Sequence, residues 1–352
     1  MNARDQISIN GKKLKNRITY APTVKFDYAG PDGFVTEKHV KHYADRAKGG
    51  FGLICVEATA VTPEGRFAPN HLGLWEDAQI PGHKAIVKAC HDEGAVVIIQ
   101  LNHTGITGNP EFGQPVGPSA VETRSGALSH EMTVDEIHKM QEAYISAAIR
   151  AKEAGYDGIQ LHGCHMYLIN QFISPKHNLR TDEYGKDKSL FGKEIIRAIR
   201  EKCGKDFLIS IRTVGAEPDV ESMVAVAEEY VKAGCDYLQV SHGFDSFTEK
   251  RVPEGAPYSE LCALGVEFYK HFKGKVPVSC VGDLFTPEVV NYIFENELCD
   301  TVDIARAGLA DPNFANAVLN GDPYVKCFKC QRCQYGPFTN HNCPAAIKRL
   351  KQ

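Results

Sequence analysis

Three proton-bearing side chains follow a short apolar run near the middle of the chain. His162, His165 and Tyr167 come directly after residues 158–161, which we expect to form a buried strand. In a barrel of alternating strands and helices, the residues at the carboxyl ends of the strands line the catalytic face. Histidine and tyrosine donate hydrogen bonds and protons, so the spacing predicts an active site here. Satisfied histidines at a strand end, or two metal ligands three residues apart, are the alternative interpretations.

Eight short apolar or β-branched runs alternate with longer segments of helical periodicity, a pattern that favours a parallel sheet with crossover helices. The predicted strands are residues 18–21, 53–58, 96–100, 158–161, 207–212, 237–241, 276–281 and 301–304. A chain of 352 residues accommodates one eightfold α/β barrel with extensions. We therefore predict an α/β fold, a (β/α)8 TIM barrel with a short C-terminal cysteine-rich extension.

Local signals mark where several helices begin and end. Thr133 and Glu136 form a capping box that predicts a helix over 133–154, and Pro287 suits the first position of another helix. Gly155 and Gly234 each follow a helical segment, where a left-handed residue without a Cβ ends a helix at least cost. Two irregular stretches, 101–132 and 174–189, predict long loops on the catalytic side of the barrel.

Composition narrows the class of protein. The chain is 43% hydrophobic and 24% charged, with a net charge of -4, so it has no basic field that would attract nucleic acid. It begins without an apolar leader and has no run of about 18 apolar residues, so we expect a cytoplasmic protein that does not span a membrane. Eight of the twelve cysteines occur singly in apolar segments, as expected for buried thiols in a reducing compartment.

The other four cysteines are crowded into the end of the chain. Cys327, Cys330 and Cys333 are each separated by two residues, and Cys343 follows with a proline after it. This spacing is typical of cubane iron–sulfur ligation, although four sulfurs also suit structural zinc or remain unligated thiols. We expect the boundary near Pro323, with a barrel over 1–322 and a cysteine-rich tail over 323–352.

Motifs at successive strand ends carry a resemblance through nearly the whole chain. Their order and placement resemble the old yellow enzyme family of FMN-dependent ene-reductases, a more specific signal than any single motif. The segments are residues 15–18, 21–22, 49–54, 57–61, 100–105, 162–167, 180–185, 212, 281–282 and 310–312.

The resemblance implies FMN in the barrel mouth. Gln100 resembles the glutamine that hydrogen-bonds the flavin pyrimidine edge, and Arg212 resembles the arginine near flavin N1 and O2, where a positive charge raises the reduction potential. Val24 occupies the position of a threonine or cysteine near O4 and N5. Because valine donates no hydrogen bond, we expect a lower potential than in relatives with the hydroxyl. Further contacts implied by the family fall on Ala21, Pro22, Thr23 and Ala58.

The implied phosphate site departs from the family pattern at two positions. The resemblance places it at Gly282, Asp283, Ala305 and Arg306, where relatives carry a second glycine and a glycine before the arginine. Backbone amides and the arginine remain, but a carboxylate near a dianionic phosphate is repelled unless it points away. We therefore expect weaker FMN binding.

The resemblance also implies the catalytic roles. His162 and His165 resemble the pair that hydrogen-bonds the substrate carbonyl oxygen, where negative charge develops during reduction. Tyr167 resembles the donor that protonates the α-carbon after hydride reaches the β-carbon. We expect the substrate walls to come from the loop after Gln100, from Phe26 and Tyr28, and from residues 243–257.

The tail resembles the cluster-binding segment of the branch that includes dienoyl-CoA reductase, 2-enoate reductase and trimethylamine dehydrogenase. Its cysteine gaps of two and nine residues are shorter than in that branch. The implied cofactors are FMN, a [4Fe-4S] cluster and NAD(P)H as reductant. No glycine-rich dinucleotide fingerprint follows the tail, so either NAD(P)H docks over the flavin or a protein electron donor feeds the cluster.

We thus expect an ene-reductase for α,β-unsaturated carbonyl or carboxyl compounds. An oxidative amine or demethylating dehydrogenase, and an FMN/iron–sulfur electron-transfer subunit, are the alternatives. The expected partners are a small enone or enoate and, since family members commonly associate, further copies of the chain.

Overall fold

The computed structural model describes residues 1–123, 126–244, 249–331, 333–335 and 342–351. Its centre is a closed barrel of eight parallel strands, in which each strand pairs with the next along the chain and the last pairs with the first. The barrel strands are Ile18–Tyr20, Leu53–Ala60, Val96–Asn102, Gly158–Gly163, Leu208–Val214, Tyr237–Ser241, Val278–Val281 and Thr301–Ile304. This confirms the predicted TIM barrel, and each strand end lies within two residues of its predicted position.

Helices surround the barrel and bury the apolar outer faces of the strands. Between strands they are Glu37–Lys48, Ile80–His91, Val134–Glu153, Leu190–Cys203, Val220–Ala233, Glu260–Phe272 and Pro287–Glu295, with Arg306–Ala310 and Phe314–Asn320 after the last strand. The capping box is confirmed, since the Glu136 N–H donates to Thr133 Oγ1 over 3.2 Å and the Thr133 N–H donates to Glu136 Oε2 over 2.8 Å. Gly155 and Gly234 have φ of 91° and 114°, as predicted for left-handed helix ends.

A small antiparallel hairpin covers the amino-terminal end of the barrel. Its strands, Ile7–Ile9 and Lys12–Leu14, bury Ile9 and Leu14 against a separate apolar cluster that includes Leu53, Val96 and Leu208 at the starts of three barrel strands. The hairpin therefore closes the end of the barrel that does not carry the predicted site.

The two irregular stretches lie together over the opposite end. The first contains the 3₁₀ turns Gly105–Thr107 and Pro110–Phe112, and its segments Val116–Gly117 and His130–Glu131 form a short parallel ladder. The second is linked to it by Arg180, whose guanidinium donates to the carbonyl oxygens of Pro118 and Met132 over 3.0 and 2.5 Å. The short helices Leu168–Ile173 and Glu183–Lys186 complete this region.

Two further expectations concern the thiols and the membrane. The eight cysteines outside the tail are buried and carry no disulfide, as expected for scattered core thiols. Within the described ranges, no helix has the length and apolar character needed to cross a bilayer.

Buried neutral histidines make the stability of this fold depend on pH. His83 is fully buried; its Nε2 lies 3.1 Å from the Gly73 carbonyl oxygen and its Nδ1 lies 2.9 Å from the Tyr156 hydroxyl. Burial lowers the pKa of His83 from 6.5 to about 4, and the bond to Gly73 only partly offsets this. The unfolded chain therefore binds more protons than the native protein between these values, and stability falls as the pH decreases through this window.

We predict that His83 alone accounts for a loss of about 2 kcal/mol of unfolding free energy between roughly pH 7.5 and pH 5. The substitution His83→Gln should flatten the pH dependence by that amount, measured by urea unfolding at both values. His138→Gln, at an exposed helical position, is the matched control and should leave the pH dependence unchanged. Equal pH dependence of wild type and His83→Gln would contradict the assignment.

Candidate active site

The fourth and fifth barrel strands bring a histidine and an arginine side by side. His162 and Arg212 are register partners at the carboxyl ends of Gly158–Gly163 and Leu208–Val214, and both side chains are buried. Tyr167 precedes the helix Leu168–Ile173, and its ring packs edge-on against His162 with 4.7 Å between ring centroids. The structure therefore brings together residues that sequence spacing placed on neighbouring strand ends.

An unusual turn returns the chain towards His162 directly after the fourth strand. His165 and Met166 have φ of 57° and 68°, a conformation uncommon for residues with a Cβ and often found at functional sites. The turn is held by the His165 N–H, which donates to the His242 carbonyl, and by the Met166 N–H, which donates to Asn170 Oδ1, both over 3.0 Å. As a result, His165 Nδ1 lies 3.0 Å from His162 Nε2.

Both histidines of this pair are neutral. Burial and, second, the positive charge of Arg212 hold the pKa of His162 and of His165 well below 6.5. A neutral imidazole has one N–H, so each ring can donate one hydrogen bond. His165 Nε2 lies 2.8 Å from Ser241 Oγ, while His162 Nδ1 is buried without a hydrogen-bond partner among the described residues.

The metal-ligand interpretation of this pair has partial geometric support. Within the described ranges, His162, Cys164 and His165 are the one set of three histidine, cysteine or acidic side chains whose ligand atoms all lie within 4.8 Å of one another. The neighbouring guanidinium of Arg212, which depresses both histidine pKa values, opposes a second cation there. The electrostatics therefore favour an oxygen carrying negative charge over a metal ion.

Arg212 is the dominant fixed charge at the mouth of the barrel. Its guanidinium is buried, and its Nε has no hydrogen-bond partner in the part of the chain that the structure describes. The nearby group of opposite charge is Asp303. Burial raises the pKa of its carboxyl group, and the positive charge of Arg212 only partly offsets this rise. Asp303 Oδ1 also accepts hydrogen bonds from Gln239 Nε2 and Ser279 Oγ over 2.7 and 3.1 Å.

Sequence reasoning missed Asp303, although a signal was present. It is the one charged residue in Thr301–Ile304, and a carboxyl group inside a buried strand needs a partner.

A cavity with about 540 Å³ of empty space opens beside Arg212. It is lined by residues at the ends of the fourth to eighth strands, which include the predicted residues His165, Arg212, Gly282, Asp283, Ala305 and Arg306. The other predicted flavin contacts do not line this cavity. Ala21, Pro22, Thr23 and Val24 follow the first strand, whereas Ala58 and Gln100 lie near the carboxyl ends of the second and third strands. Gln100 Nε2 donates to Gln160 Oε1 over 2.7 Å, so its amide is oriented by the neighbouring strand.

One of the two departures in the predicted phosphate site, Asp283, contacts the arginine of that site. Arg306 Nη2 donates to Asp283 Oδ1 over 2.6 Å, and both side chains are about half-exposed. Asp283 therefore points towards the arginine, and its carboxylate occupies the hydrogen-bonding edge that a phosphate would use. Gly282 has a φ of 122°, which residues with a Cβ rarely adopt, and a Cβ there would lie 2.8 Å from the side-chain oxygen Oγ of Ser259, so this position favours glycine.

A buried carboxyl group holds the loop after the first strand. Glu57 Oε2 accepts the Lys25 backbone N–H over 2.6 Å, and Glu57 Oε1 accepts the Tyr43 hydroxyl over 2.9 Å. Burial raises the pKa of Glu57 to about 7, against the opposing effect of Lys25. This contact, which sequence reasoning missed, fixes the segment that contains the predicted flavin contacts 21–24. Its signal was one acidic residue within the apolar strand Leu53–Ala60.

The four tail cysteines line one cavity with about 370 Å³ of empty space, together with Arg306, Leu309 and Tyr335. Burial raises the pKa of the Cys327 thiol, and the neighbouring Cys343 and Cys333 raise it further. The tail folds back onto the barrel, where the Tyr335 ring centroid lies 4.5 Å from Lys25 Nζ. The structure thus brings the cysteine cavity next to the loop that follows the first barrel strand.

The spacing of the sulfurs bears on what they could bind. Zinc with four sulfurs at about 2.3 Å requires sulfur separations of about 3.8 Å. Among the described residues, which include all four cysteines, no three of these sulfurs lie within 4.8 Å of one another. The arrangement is wider than a tetrahedral zinc site, as suits a cubane whose irons each bind one thiolate.

The side chain of Lys25 lies next to this cavity. Its side chain is buried, and the ammonium has no hydrogen-bond partner among the described residues. Burial lowers the pKa of Lys25 well below 10.5, and the opposing negative charges of Glu57 and Cys343 do not offset this, so the thiolates of a bound cluster would favour the charged form of the lysine.

The expected substrate walls are only partly in the described structure. The Phe26 ring lies 5.8 Å from Phe67 and 5.7 Å from Tyr335, between the mouth and the tail. Tyr28 instead contacts His39 and His42 of the helix Glu37–Lys48, with ring centroids 5.3 and 6.0 Å away. Of the predicted segment 243–257, residues 245–248 lie outside the described residues.

Comparison with known proteins agrees with this architecture. Residues 5–323 match the NADH:flavin oxidoreductase / NADH oxidase family. The chain is 34% identical over 312 residues to an NADPH dehydrogenase of Halalkalibacterium halodurans, covering 86% of this chain and 90% of that protein.

Two solved structures are similar over nearly the whole chain. One is a 2-naphthoyl-CoA reductase in complex with 2-naphthoyl-CoA, with a TM-score of 0.86 and 26% identity over 94% of this chain, which spans 54% of that longer protein. The other is an old yellow enzyme homologue from Zymomonas mobilis, with a TM-score of 0.79 and 27% identity, covering 93% of this chain and 95% of that one. The chain therefore belongs to the NADH:flavin oxidoreductase / NADH oxidase family, whose members include the old yellow enzymes, and it is an NAD(P)H:flavin oxidoreductase of the FMN-binding type.

Proposed function

We propose that this enzyme reduces the C=C bond of an α,β-unsaturated carbonyl or carboxyl compound, with NAD(P)H as the source of electrons. The observation that carries this proposal is the grouping at one barrel mouth of a buried guanidinium, Arg212, with two neutral imidazoles and a phenol. The 2-naphthoyl-CoA reductase similarity supports a substrate whose unsaturated carbon atoms are conjugated to a carbonyl group.

The mouth residues fit FMN in charge and in hydrogen-bonding capacity. Arg212 is a buried cation that needs an anionic or strongly polar partner, and the pyrimidine edge of a flavin provides one. Gln100 supplies an amide already oriented by Gln160. When bound, FMN supplies the hydride that is added to the substrate β-carbon.

Side chains of the protein would bind the substrate carbonyl oxygen and supply the proton for the α-carbon. His162 and His165 each offer one N–H, and a substrate carbonyl oxygen that accepts both would take the place of their 3.0 Å contact. Neutral rings retain this donor capacity over the physiological pH range because their pKa values are well below 6.5. Tyr167, packed against His162, donates the proton to the α-carbon, a role that enone reduction requires and amine oxidation does not.

We further propose that the tail, residues 323–352, is a separate iron–sulfur segment holding a [4Fe-4S] cluster on Cys327, Cys330, Cys333 and Cys343. The wide sulfur spacing supports this assignment over zinc, while the shared cavity and the buried side chain of Lys25 fit any anionic centre with four thiolates.

The role of Tyr167 is testable by removing one hydroxyl. In Tyr167→Phe we expect NAD(P)H to bleach the bound flavin at the wild-type rate, because this half-reaction needs no proton from the phenol. Reoxidation by a panel of cyclic enones should slow by about 10²- to 10⁴-fold, the usual contribution of a positioned acid. Both half-reactions are measured by anaerobic stopped-flow absorbance.

Two outcomes of that experiment would count against the proposal. Unchanged reoxidation in Tyr167→Phe would refute the proton-donor role. Flavin that is reduced only by a protein donor and responds to no enone would instead favour an electron-transfer subunit.

The Asp283–Arg306 contact predicts the effect of a charge-neutral substitution on FMN binding. Asp283→Asn keeps a residue that tolerates positive φ, removes the carboxylate from the phosphate site and releases Arg306. We expect the dissociation constant for FMN to fall by about threefold to fivefold, since an exposed ion pair contributes less than about 1 kcal/mol. Fluorescence titration of deflavinated protein measures it. Asp206→Asn, an exposed control, should bind as wild type, and equal affinity in all three proteins would contradict the prediction.

Metal analysis tests the tail. We expect about four iron and four acid-labile sulfide per chain in anaerobically purified wild type. Cys330→Ser should lose most of both, whereas Cys90→Ser, which changes a buried core thiol, should keep them. Stoichiometric zinc without sulfide would show instead that the tail is a zinc site.

A further inference from the structure

The tail differs sharply in charge from the rest of the chain. Residues 323–352 contain six basic residues and no acidic residue, although the whole chain has a net charge of -4. The basic residues are Lys326, Lys329, Arg332, Lys348, Arg349 and Lys351. A positive region on an otherwise acidic protein produces a directional field that attracts anionic partners.

The tail also exposes large apolar side chains. The structure describes six exposed large hydrophobic residues over its ranges, and three of them are Phe328, Ile347 and Leu350, which are 49%, 42% and 75% exposed. Lys348 Nζ lies 6.0 Å from the Phe328 ring, so the segment before the last helix and the helix Pro344–Leu350 form one surface. We call this the tail surface; it comprises Lys326, Phe328, Lys329, Ile347, Lys348, Leu350 and Lys351.

The tail surface lies directly over the cysteine cavity. Phe328 and Lys329 line that cavity together with the four cysteines. On the other side, the cavity reaches Arg306 of the predicted flavin site and Tyr335, which packs on Lys25. A partner seated on the tail surface would therefore come close to the thiolates without approaching the barrel mouth.

Exposed apolar side chains with lysines nearby are typical of the interfaces of proteins that must associate quickly and separate again. Apolar contact supplies affinity, while complementary charge raises the association rate and selects the partner. The excess of positive charge calls for an acidic partner, and the adjacent thiolates call for one that carries single electrons.

We propose that the tail surface is the docking site of an acidic one-electron carrier protein that delivers electrons to the enzyme. This inference rests on the proposed cluster. Each reduced carrier gives up one electron and leaves oxidised, so two carriers supply the two electrons that one hydride from NAD(P)H would supply. The accompanying protons come from water.

The test uses the complete holoenzyme and a reduced, acidic plant-type [2Fe–2S] ferredoxin as the probe. Stopped-flow absorbance gives the second-order rate constant for reduction of the bound flavin. We expect this constant to fall about tenfold between roughly 0.02 and 0.3 M salt, because screening weakens electrostatic steering.

Charge-neutral variants then locate the docking site. The triple variant Lys326→Gln, Lys348→Gln, Lys351→Gln should react about fivefold more slowly at low salt. A matched triple variant, Lys84→Gln, Lys139→Gln, Lys202→Gln, removes the same charge from exposed positions on the barrel helices and should react at the wild-type rate. NAD(P)H-driven reduction should be unaffected in both.

Several results would overturn the proposal. They are equal slowing in both triple variants, a rate independent of salt, and no reaction with ferredoxin. A change of oligomeric state confined to the tail variant would instead make the tail surface an interface between copies of this chain. Turnover of enone with NAD(P)H but no ferredoxin reaction would remove the docking site and leave the proposed function. A lysine-dependent ferredoxin reaction without enone turnover would do the reverse.

Discussion

The buried guanidinium of Arg212 is the constraint on which the site depends. It lies near the carboxyl end of the fifth barrel strand, beside His162 and close enough to Asp303 to lower the pKa of that carboxyl group. Because a guanidinium keeps its charge, it acts on its neighbours. It lowers the pKa of the Asp303 carboxyl group against the larger, opposite effect of burial, and together with burial it holds the pKa values of His162 and His165 well below 6.5. The remaining hydrogen-bonding capacity of the Arg212 guanidinium suits a ligand with a polar, electron-accepting edge.

The closed barrel makes this arrangement possible. The parallel strands all end on the same side of the barrel, so the residues at their ends lie close together although they are far apart in sequence. The parallel pairing of the fourth and fifth strands places His162 beside Arg212. A carboxyl group, Glu57, then holds the loop after the first strand against the barrel, which brings that loop and the cysteine tail together around Lys25.

Sequence patterns predicted the elements because each is specified locally. Buried parallel strands appear as short apolar runs, and helix caps such as Thr133 and Gly155 are read from neighbouring residues. The residues at strand ends, including Arg212, followed from those runs together with the family resemblance. Their proposed roles stay predictions until the substitutions are measured.

What the sequence could not predict depends on tertiary contacts. The left-handed turn at His165 and Met166 depends on a hydrogen bond that the Met166 N–H donates to Asn170 Oδ1. The direction of the Asp283 side chain is set by Arg306, which comes from the next strand. Neither orientation is encoded in local spacing.

A potentiometric titration of the bound flavin in wild type and Arg212→Gln tests the central claim most directly. If the guanidinium stabilises the reduced, anionic flavin, the midpoint potential of the variant must be more negative than that of wild type. Coincident potentials, or wild-type protein that binds no flavin, would contradict the account.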